Sequence, residues 1–315
     1  MMVSIGIDVG GTGLKAGAVS ERGEILSKVS CPTLPERGFE AVVADMARLA
    51  VRAAEEAGAA MEEVRSVGIG IPGVHDPARN LVVRCVNLYW KDVPLIDEMH
   101  RYLSVPVYVD NDATVAGLAE SVAGASRGMH SSVLITLGTG IGSAIIIDGR
   151  IYAGAHGCGG EMGHIITHAG GILCSCGHRG CWERYASASG LIRLGQEIAK
   201  RNPDGVIARK SGGNPEAIDA RMVLDSAKEG DPDAMQAFET YTEELAIGLS
   251  SIVVALDPEM IVLGGGVAGA GEFLLQAVRK KIAEYAIFPD MPLPRIELAI
   301  TGNDAGIIGA AHLGR

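Results

Sequence analysis

The chain alternates short apolar runs with stretches whose apolar residues recur at helical spacing. Val3-Ser4-Ile5-Gly6-Ile7-Asp8 runs into a glycine-rich turn, and Ala16–Val19 resumes as a strand. Gly23 turns the chain before Glu24-Ile25-Leu26, so the start reads as a β-hairpin or meander rather than a βαβ unit. Phe39 to Ala57 has helical spacing and ends at Gly58, a suitable helix terminator. Val64–Ile71 is the next strand, closed by Pro72-Gly73. Pro94–Leu103 reads as a helix, Val105–Val109 as a strand ending in Asp110-Asn111-Asp112, and Ala113–Ala123 as a helix. Ser132–Leu137 is a strand, followed by Gly138-Thr139-Gly140-Ile141-Gly142 and a second strand, Ala144–Ile147. Asp148-Gly149 makes a hairpin turn before Arg150-Ile151-Tyr152. Gly154 to Gly180 is rich in Gly, Cys and His and has little periodicity. Trp182–Arg201 and Pro232–Leu256 read as helices, with Asn202–Pro215 a polar surface loop between them. Met260–Leu263 is a strand running into Gly264-Gly265-Gly266. Gly271–Tyr285 and the short Ala305–Leu313 complete the helices.

One pattern repeats. Strand, glycine-rich turn and strand occur at Ile5–Val19 and again at Val133–Ile147, with the turns about 128 residues apart. Two similar α/β domains facing each other across a cleft would follow from such a duplication.

Composition narrows the class. At 315 residues the chain is long enough for two domains. Apolar residues make up 48%, which argues against disorder. The 43 glycines, beside 4% aromatics, suit tight turns and close backbone approaches around a small ligand. A formal charge of −11 and the lack of a basic block disfavour nucleic acid or an anionic membrane as partner. Leu245–Leu256 is too short to span a bilayer, which needs ~20 residues. Met1 to Asp8 has no basic segment of the kind that opens a signal peptide. A soluble cytoplasmic protein is therefore expected.

Chemistry is concentrated in a few places. A hairpin tip of Gly10, Gly11 and Thr12 exposes backbone N–H groups that attract phosphate oxygens, as does the tip of Gly138, Thr139 and Gly140. Lys15 follows the first tip, and Asp8 stands at its mouth. A carboxylate beside a phosphate implies a cation between them, Mg²⁺ held through water. Each hairpin taken alone also reads as a plain tight turn. Neither carries the P-loop spacing, nor the dinucleotide fingerprint in a βαβ setting. Gly264, Gly265 and Gly266 end a strand before a helix, where a nucleotide could approach. Asp112 reads either as the N-cap of the following helix or as a general base for a substrate hydroxyl.

Cys174, Cys176 and Cys181, with His164 separated from Cys174 by nine residues, offer three thiolates and an imidazole for a tetrahedral Zn²⁺ with no open position, hence structural. His168 and His178 compete for the imidazole place and otherwise read as exposed. Cys31, Cys85 and Cys158 read as ordinary buried thiols. Glu161 and Glu183 flank the metal loop. Each reads either as a hydrogen-bond acceptor for sugar hydroxyls or as a plain acid, in solvent or in a helix's first turn.

These residues together resemble the ROK family of sugar kinases and repressors, and within it the bacterial glucokinases. The resemblance covers nearly the whole chain. It rests on Asp8 to Lys15, Gly70-Ile71-Pro72-Gly73, Asn87-Leu88-Tyr89-Trp90, Asn111-Asp112-Ala113 and Leu137 to Gly142. Its most specific part is Gly160-Glu161-Met162-Gly163-His164 through Cys174-Ser175-Cys176-Gly177 to Gly180-Cys181-Trp182-Glu183. It implies an α/β, actin-like ATPase (ribonuclease H-like) fold with two α/β domains around a cleft. The small domain would hold residues 1–112 and about 302–315, and the large one 113–301 with the zinc loop. The resemblance further implies ATP phosphates on both hairpins and adenosine near Gly264–Gly266. Asp112 would be the base acting on the sugar 6-hydroxyl. Asn111, Asp112, Glu161, His164 and Glu183 would contact the sugar, with Gly73 and Asn87 lining the site. His164 would meet zinc through one ring nitrogen and sugar through the other. Ala113-Thr114 departs from the Ala-Asn of many relatives. N-acetylmannosamine kinase, fructokinase and allose kinase share the motifs, and a non-catalytic sugar-responsive regulator is a second class of alternative. Relatives imply a homo-oligomer, dimer or tetramer.

Overall fold

The computed structural model describes residues 3–314. Met1, Met2 and Arg315, which belong to the expected small domain and to the segment read for a signal peptide, lie outside the described residues. In chain order the strands and helices are β1 (Val3–Val9), β2 (Gly13–Val19), β3 (Val29–Pro32), α1 (Phe39–Glu56), β4 (Val64–Ile71), β5 (Val74–Asp76), β6 (Leu81–Cys85) and β7 (Trp90–Val93). Then come α2 (Leu95–Met99), β8 (Val107–Asn111), α3 (Asp112–Ala123), β9 (Ser131–Leu137), β10 (Ile141–Ile147), β11 (Arg150–Ile151), α4 (Glu183–Ala186) and α5 (Ala188–Arg201). The chain ends with α6 (Val206–Lys210), α7 (Ala220–Lys228), α8 (Pro232–Leu256), β12 (Met260–Gly264), α9 (Glu272–Glu284), β13 (Arg295–Leu298) and α10 (Ala305–Ala311).

Two compact units form. The first runs to Leu134, takes in Ala144–Gly160 and resumes at Ala299; the second holds Ile135–Ser143 and Glu161–Leu298. The sequence placed a division after Asp112. In the structure α3 packs on α10, β4 and β8, so the first unit continues past it.

The first sheet has the order β3-β2-β1-β4-β8. β1 pairs antiparallel with β2 and parallel with β4, and β4 pairs parallel with β8. This is the expected ribonuclease H-like arrangement. β1 is buried on both faces, with Val3, Ile5, Ile7 and Val9 in the core, because α1 packs on the sheet from one side and α10 from the other. α1 is amphipathic and presents Val42, Val43, Met46, Leu49, Ala50 and Ala53 to the core. β5, β6 and β7 form a small separate sheet. The second sheet repeats the plan, in the order β11-β10-β9-β12-β13, with β10–β11 antiparallel and β12–β13 parallel. The duplicated hairpins thus open both sheets.

Several expectations change in detail. Glu24–Leu26 contributes only the isolated bridge between Val19 and Ile25, and the third strand of the meander is β3. The helix expected over Trp182–Arg201 breaks at Ser187, which is extended and whose hydroxyl caps Gly190 N–H. The polar loop of residues 202–215 contains the short helix α6. Gly264–Gly266 leads into a 3₁₀ turn, Val267–Ala270, before α9 begins. Among the described residues no helix is long and apolar enough to cross a membrane.

α10 reaches the sheet at backbone distance because Gly6 carries no side chain: a Cβ there would lie 1.9 Å from the Ile307 carbonyl oxygen. Gly6→Ala is expected to destabilise the protein by roughly 1–3 kcal/mol through this overpacking. Urea unfolding is the check, and an unchanged midpoint would contradict the packing described.

Candidate active site

The first unit gathers its polar residues at the carboxyl ends of β1, β4 and β8. The parallel register sets Asp8 opposite Gly70, and Gly70 opposite Asp110. Ligands of open α/β sheets bind beyond such strand ends. Asp8 also faces Lys15 across the β1–β2 hairpin, and their charged atoms lie 3.4 Å apart. The tip between them is held from outside. The buried Thr33 donates its hydroxyl to Gly10 O at 2.7 Å and its N–H to Thr12 O at 3.2 Å. The tip's N–H of Gly10 returns to Gly13 O at 2.9 Å. Asn87, in a 3₁₀ turn between β6 and β7, packs beside Gly11. Thr33 is a site-supporting residue that the sequence did not disclose; a lone Thr after Cys-Pro carries no pattern.

The capping question at α3 has a definite answer. Asn111 is the N-cap, and its Oδ1 accepts from the N–H groups of Ala113 and Thr114 at 2.9 and 3.3 Å. Its Nδ2 donates to Gly73 O at 3.2 Å. Asp112 is the first helical residue instead, in contact through Oδ1 with the Ala113 N–H. Its side chain is reached by solvent but crowded by protein. Desolvation holds its carboxyl above the ordinary carboxylate range; the Ala113 N–H pulls it down and the negative charge of Asp8 adds to the rise. Desolvation also raises Asp110, against the Asn111 N–H.

In the second unit the metal loop and the second hairpin are joined. Gly138 N–H bonds to Gly140 O at 3.1 Å, and the start of α5 supports the tip through Ala188 N–H to Gly138 O at 2.8 Å and the Ser189 hydroxyl to Thr139 O at 2.7 Å. Gly265, at positive φ, lies against the backbone of Leu137 just before the tip. Gly264 to Gly266 and the tip Gly138 to Gly140 are therefore neighbours. Glu183 heads α4, as a first-turn acid does, but it also reaches the hairpin: its Oε2 lies 3.4 Å from Ile141 N–H. A Cβ at Gly140 would lie 2.4 Å from that oxygen, so only glycine leaves room for the carboxylate.

The ligand atoms of His164, Cys174, Cys176 and Cys181 all lie within 4.8 Å of one another. Cys176 and Cys181 sulfurs are 3.5 Å apart, and Cys174 Sγ is 3.7 Å from His164 Nδ1. A tetrahedron with Zn–S of about 2.3 Å has edges of roughly 3.8 Å, so the set fits a zinc ion with no donor to spare. The Nδ1 side of His164 faces the sulfurs. The backbone and ring of His178 pull the Cys176 thiol down to about 6, whereas burial pushes Cys181 up to about 12 and raises Cys174. Cys174 donates to Glu183 Oε1 at 3.0 Å. Glu161 is exposed and leads the 3₁₀ turn Met162–His164, with its carbonyl accepting from His164 N–H.

Two expectations about single residues fail. His168 is half-buried, not exposed: its ring stacks on Tyr185 at 4.1 Å and its Nε2 lies 3.4 Å from a Glu244 oxygen, so it anchors the loop. Of Cys31, Cys85 and Cys158, only Cys85 is buried, because the Gly-rich segment around Cys158 lies at the surface. His178 is exposed as expected.

A sheet plan of this kind, carrying phosphate-type hairpins and strand-end acids, defines an actin-like ATPase fold. The ROK family profile matches residues 4–315, and the chain belongs to the ROK family. It is 36% identical over 310 residues to a glucokinase of Thermotoga maritima, covering 98% of this chain and 96% of that one. Among solved structures, a ROK family glucokinase from Streptomyces griseus in complex with glucose and AMPPNP superposes with a TM-score of 0.80 at 36% identity, covering 99% and 98% of the two chains. A ROK hexokinase from Thermus thermophilus superposes with a TM-score of 0.85 at 35% identity, covering 98% and 97%.

The raised carboxyls weaken the fold at neutral pH. A folded-state pKa above the unfolded one favours the protonated form, so the stability is full below the unfolded value of ~3.9 and is lost as pH rises through the folded value. Asp110→Asn is expected to raise the melting temperature at pH 7 and to leave it unchanged near pH 3. A lowered melting temperature at pH 7 would contradict the burial described.

Proposed function

We propose that this protein is an ATP-dependent hexose kinase that phosphorylates the 6-hydroxyl of glucose. One observation carries the reading: Asn111 caps α3, so the Asp112 carboxylate, bonded to the Ala113 N–H through one oxygen, stands at the end of a parallel strand with its basicity raised. Phosphoryl transfer asks for positioning, charge neutralisation and such a base. Asp112 takes the proton of the 6-hydroxyl as that oxygen bonds to the γ-phosphorus; the bond from the γ-phosphorus to the bridging oxygen breaks, and ADP leaves with the electron pair. Asn111, Glu161, His164 and Glu183 orient the sugar by accepting and donating hydrogen bonds, with Gly73 and Asn87 beside them. Gly10, Gly11, Thr12 and Lys15 take phosphate oxygens together with Gly138, Thr139 and Gly140. Gly264, Gly265 and Gly266 leave room for adenosine. Mg²⁺, when bound, neutralises phosphate charge, and Asp8 would hold it through water. Zinc on His164, Cys174, Cys176 and Cys181 would stiffen the loop that carries Glu161 and Glu183.

The family's likeness to enzymes named glucokinase supports glucose as substrate. N-acetylmannosamine, fructose and allose are the competitors, and the regulator reading loses to the intact Asp8, Lys15 and Asp112. A cytoplasmic place suits the ATP donor. The exposed apolar cluster of Ile287, Phe288 and Met291 supports a subunit contact, and hence a homo-oligomer.

A coupled ADP-release assay over a sugar panel is expected to give the highest kcat/KM for glucose. Asp112→Asn is expected to keep sugar binding while kcat falls roughly 10²-fold or more. In the unmodified enzyme kcat/KM should fall on the acid side with an inflection above the ordinary carboxylate value of ~3.9, since the base must be ionised. Near-normal turnover in the variant would remove Asp112 from the mechanism. Cys176→Ala is expected to lose stoichiometric zinc and to raise the KM for sugar. Full zinc occupancy in that variant would contradict the ligand set.

A further inference from the structure

Glu120 lies two turns into α3 and is 1% exposed. A buried carboxylate is costly unless hydrogen bonds replace its water. Four donors do so here. Oε1 accepts from the Ile300 N–H at 3.0 Å, the Thr301 N–H at 2.8 Å and the Thr301 hydroxyl, and Oε2 accepts from the Ala125 N–H at 2.7 Å. Three of the four come from a segment 180 residues away in sequence.

That segment leads into a catalytic neighbourhood. Ile300 and Thr301 follow β13 and precede the turn Gly302–Asp304, from which α10 starts. α10 then touches two elements of the proposed site at backbone distance. A Cβ on Gly306 would lie 2.6 Å from Asp8 Cγ, and one on Gly309 would lie 1.7 Å from the Val115 carbonyl oxygen, in the first turn of α3. The first turn of α3 begins with Asp112. The relative placement of Asp8 and Asp112 therefore depends on α10, and the entry of α10 depends on residues 300 and 301.

We propose that Glu120 is a positioning residue for the transfer: by clamping Ile300 and Thr301 to α3 it fixes α10 between Asp8 and the first turn of α3, and so fixes the base against the acid that serves the phosphate side. Removing the clamp leaves every proposed substrate contact in place but loosens the register of the two acids. Displacements of about 1 Å at a reacting group cost rates on the order of 10²-fold, so turnover should suffer more than binding. The proposal rests on Asp112 being the base.

Two variants and one control test it. Glu120→Gln keeps one oxygen for the 300–301 donors but turns an NH₂ towards the Ala125 N–H. Thr301→Val deletes one donor and keeps the backbone ones, and Thr301→Ser restores the hydroxyl. At saturating sugar and ATP, kcat is expected to fall roughly 10²-fold in Glu120→Gln and about tenfold in Thr301→Val, with both KM values within about threefold, and Thr301→Ser is expected to lie within about twofold of the unmodified enzyme. In Thr301→Val, hydrogen exchange of the amides from Asp112 to Val115 should speed up. A purely structural brace would lower the melting temperature and leave kcat intact. Unchanged kcat in Thr301→Val, or unchanged exchange at the start of α3, overturns the proposal, whether or not Glu120→Gln folds. If the unmodified protein phosphorylated no sugar, the base assignment would fall, while the exchange measurement would still decide the clamp.

Discussion

An acid that is to accept a proton cannot also be the group that holds its own helix together. The sequence Asp110-Asn111-Asp112 resolves that conflict by dividing the work. Asn111 supplies the helix cap with an uncharged oxygen and braces the Gly73 carbonyl with its amide. Asp112 is left as a carboxylate in a crowded place, where loss of water and the nearby charge of Asp8 both favour holding a proton. The rest of the first unit serves this arrangement. Parallel strands bring Asp8 and the Asp110–Asp112 segment to one end of the sheet, and α10 packs against both Asp8 and the first turn of α3.

The second unit solves a different problem. Its functional segment from Glu161 to Glu183 has little regular structure, so it cannot gain rigidity from a sheet ladder. Four convergent soft and borderline ligands offer a substitute, since a bound zinc ion would fix the loop at its two ends. The protein also anchors it without metal. Trp182 is buried and donates its indole N–H to Glu244 O at 2.8 Å, and His168 packs between Tyr185 and the Glu244 carboxylate. Glu183 then ties the loop to the glycine hairpin through its contact with the Ile141 N–H.

Much of this was legible in the sequence, and for identifiable reasons. Long amphipathic helices such as α1 and α8 have clear periodicity, and the duplicated hairpins stand out because glycine tips between apolar strands are distinctive. The Cys/His cluster was readable because cysteine and histidine are rare and the spacing of a metal-type set is constrained. Short elements were not: β3, β5 and β13 span three or four residues, too few for a period to show. The sequence offered Asp112 as the cap of α3, but Asn111 takes that place, because both are good caps and only the backbone angles at position 111 decide. Thr33 and Glu120 were invisible for another reason. Their partners lie 23 and about 180 residues away, and a buried polar contact of that range leaves no local pattern.

Asp112 is a carboxylate freed from the capping role by Asn111, and its surroundings and Asp8 raise its basicity against the pull of the Ala113 N–H. An NMR titration of the carboxyl carbons, with Asp112 assigned by comparison with Asp112→Asn, reads this directly. A titration midpoint for Asp112 above the ordinary value of ~3.9 is expected, moving down when Asp8→Asn removes the neighbouring charge. A midpoint at or below the ordinary value, indifferent to Asp8→Asn, would contradict it.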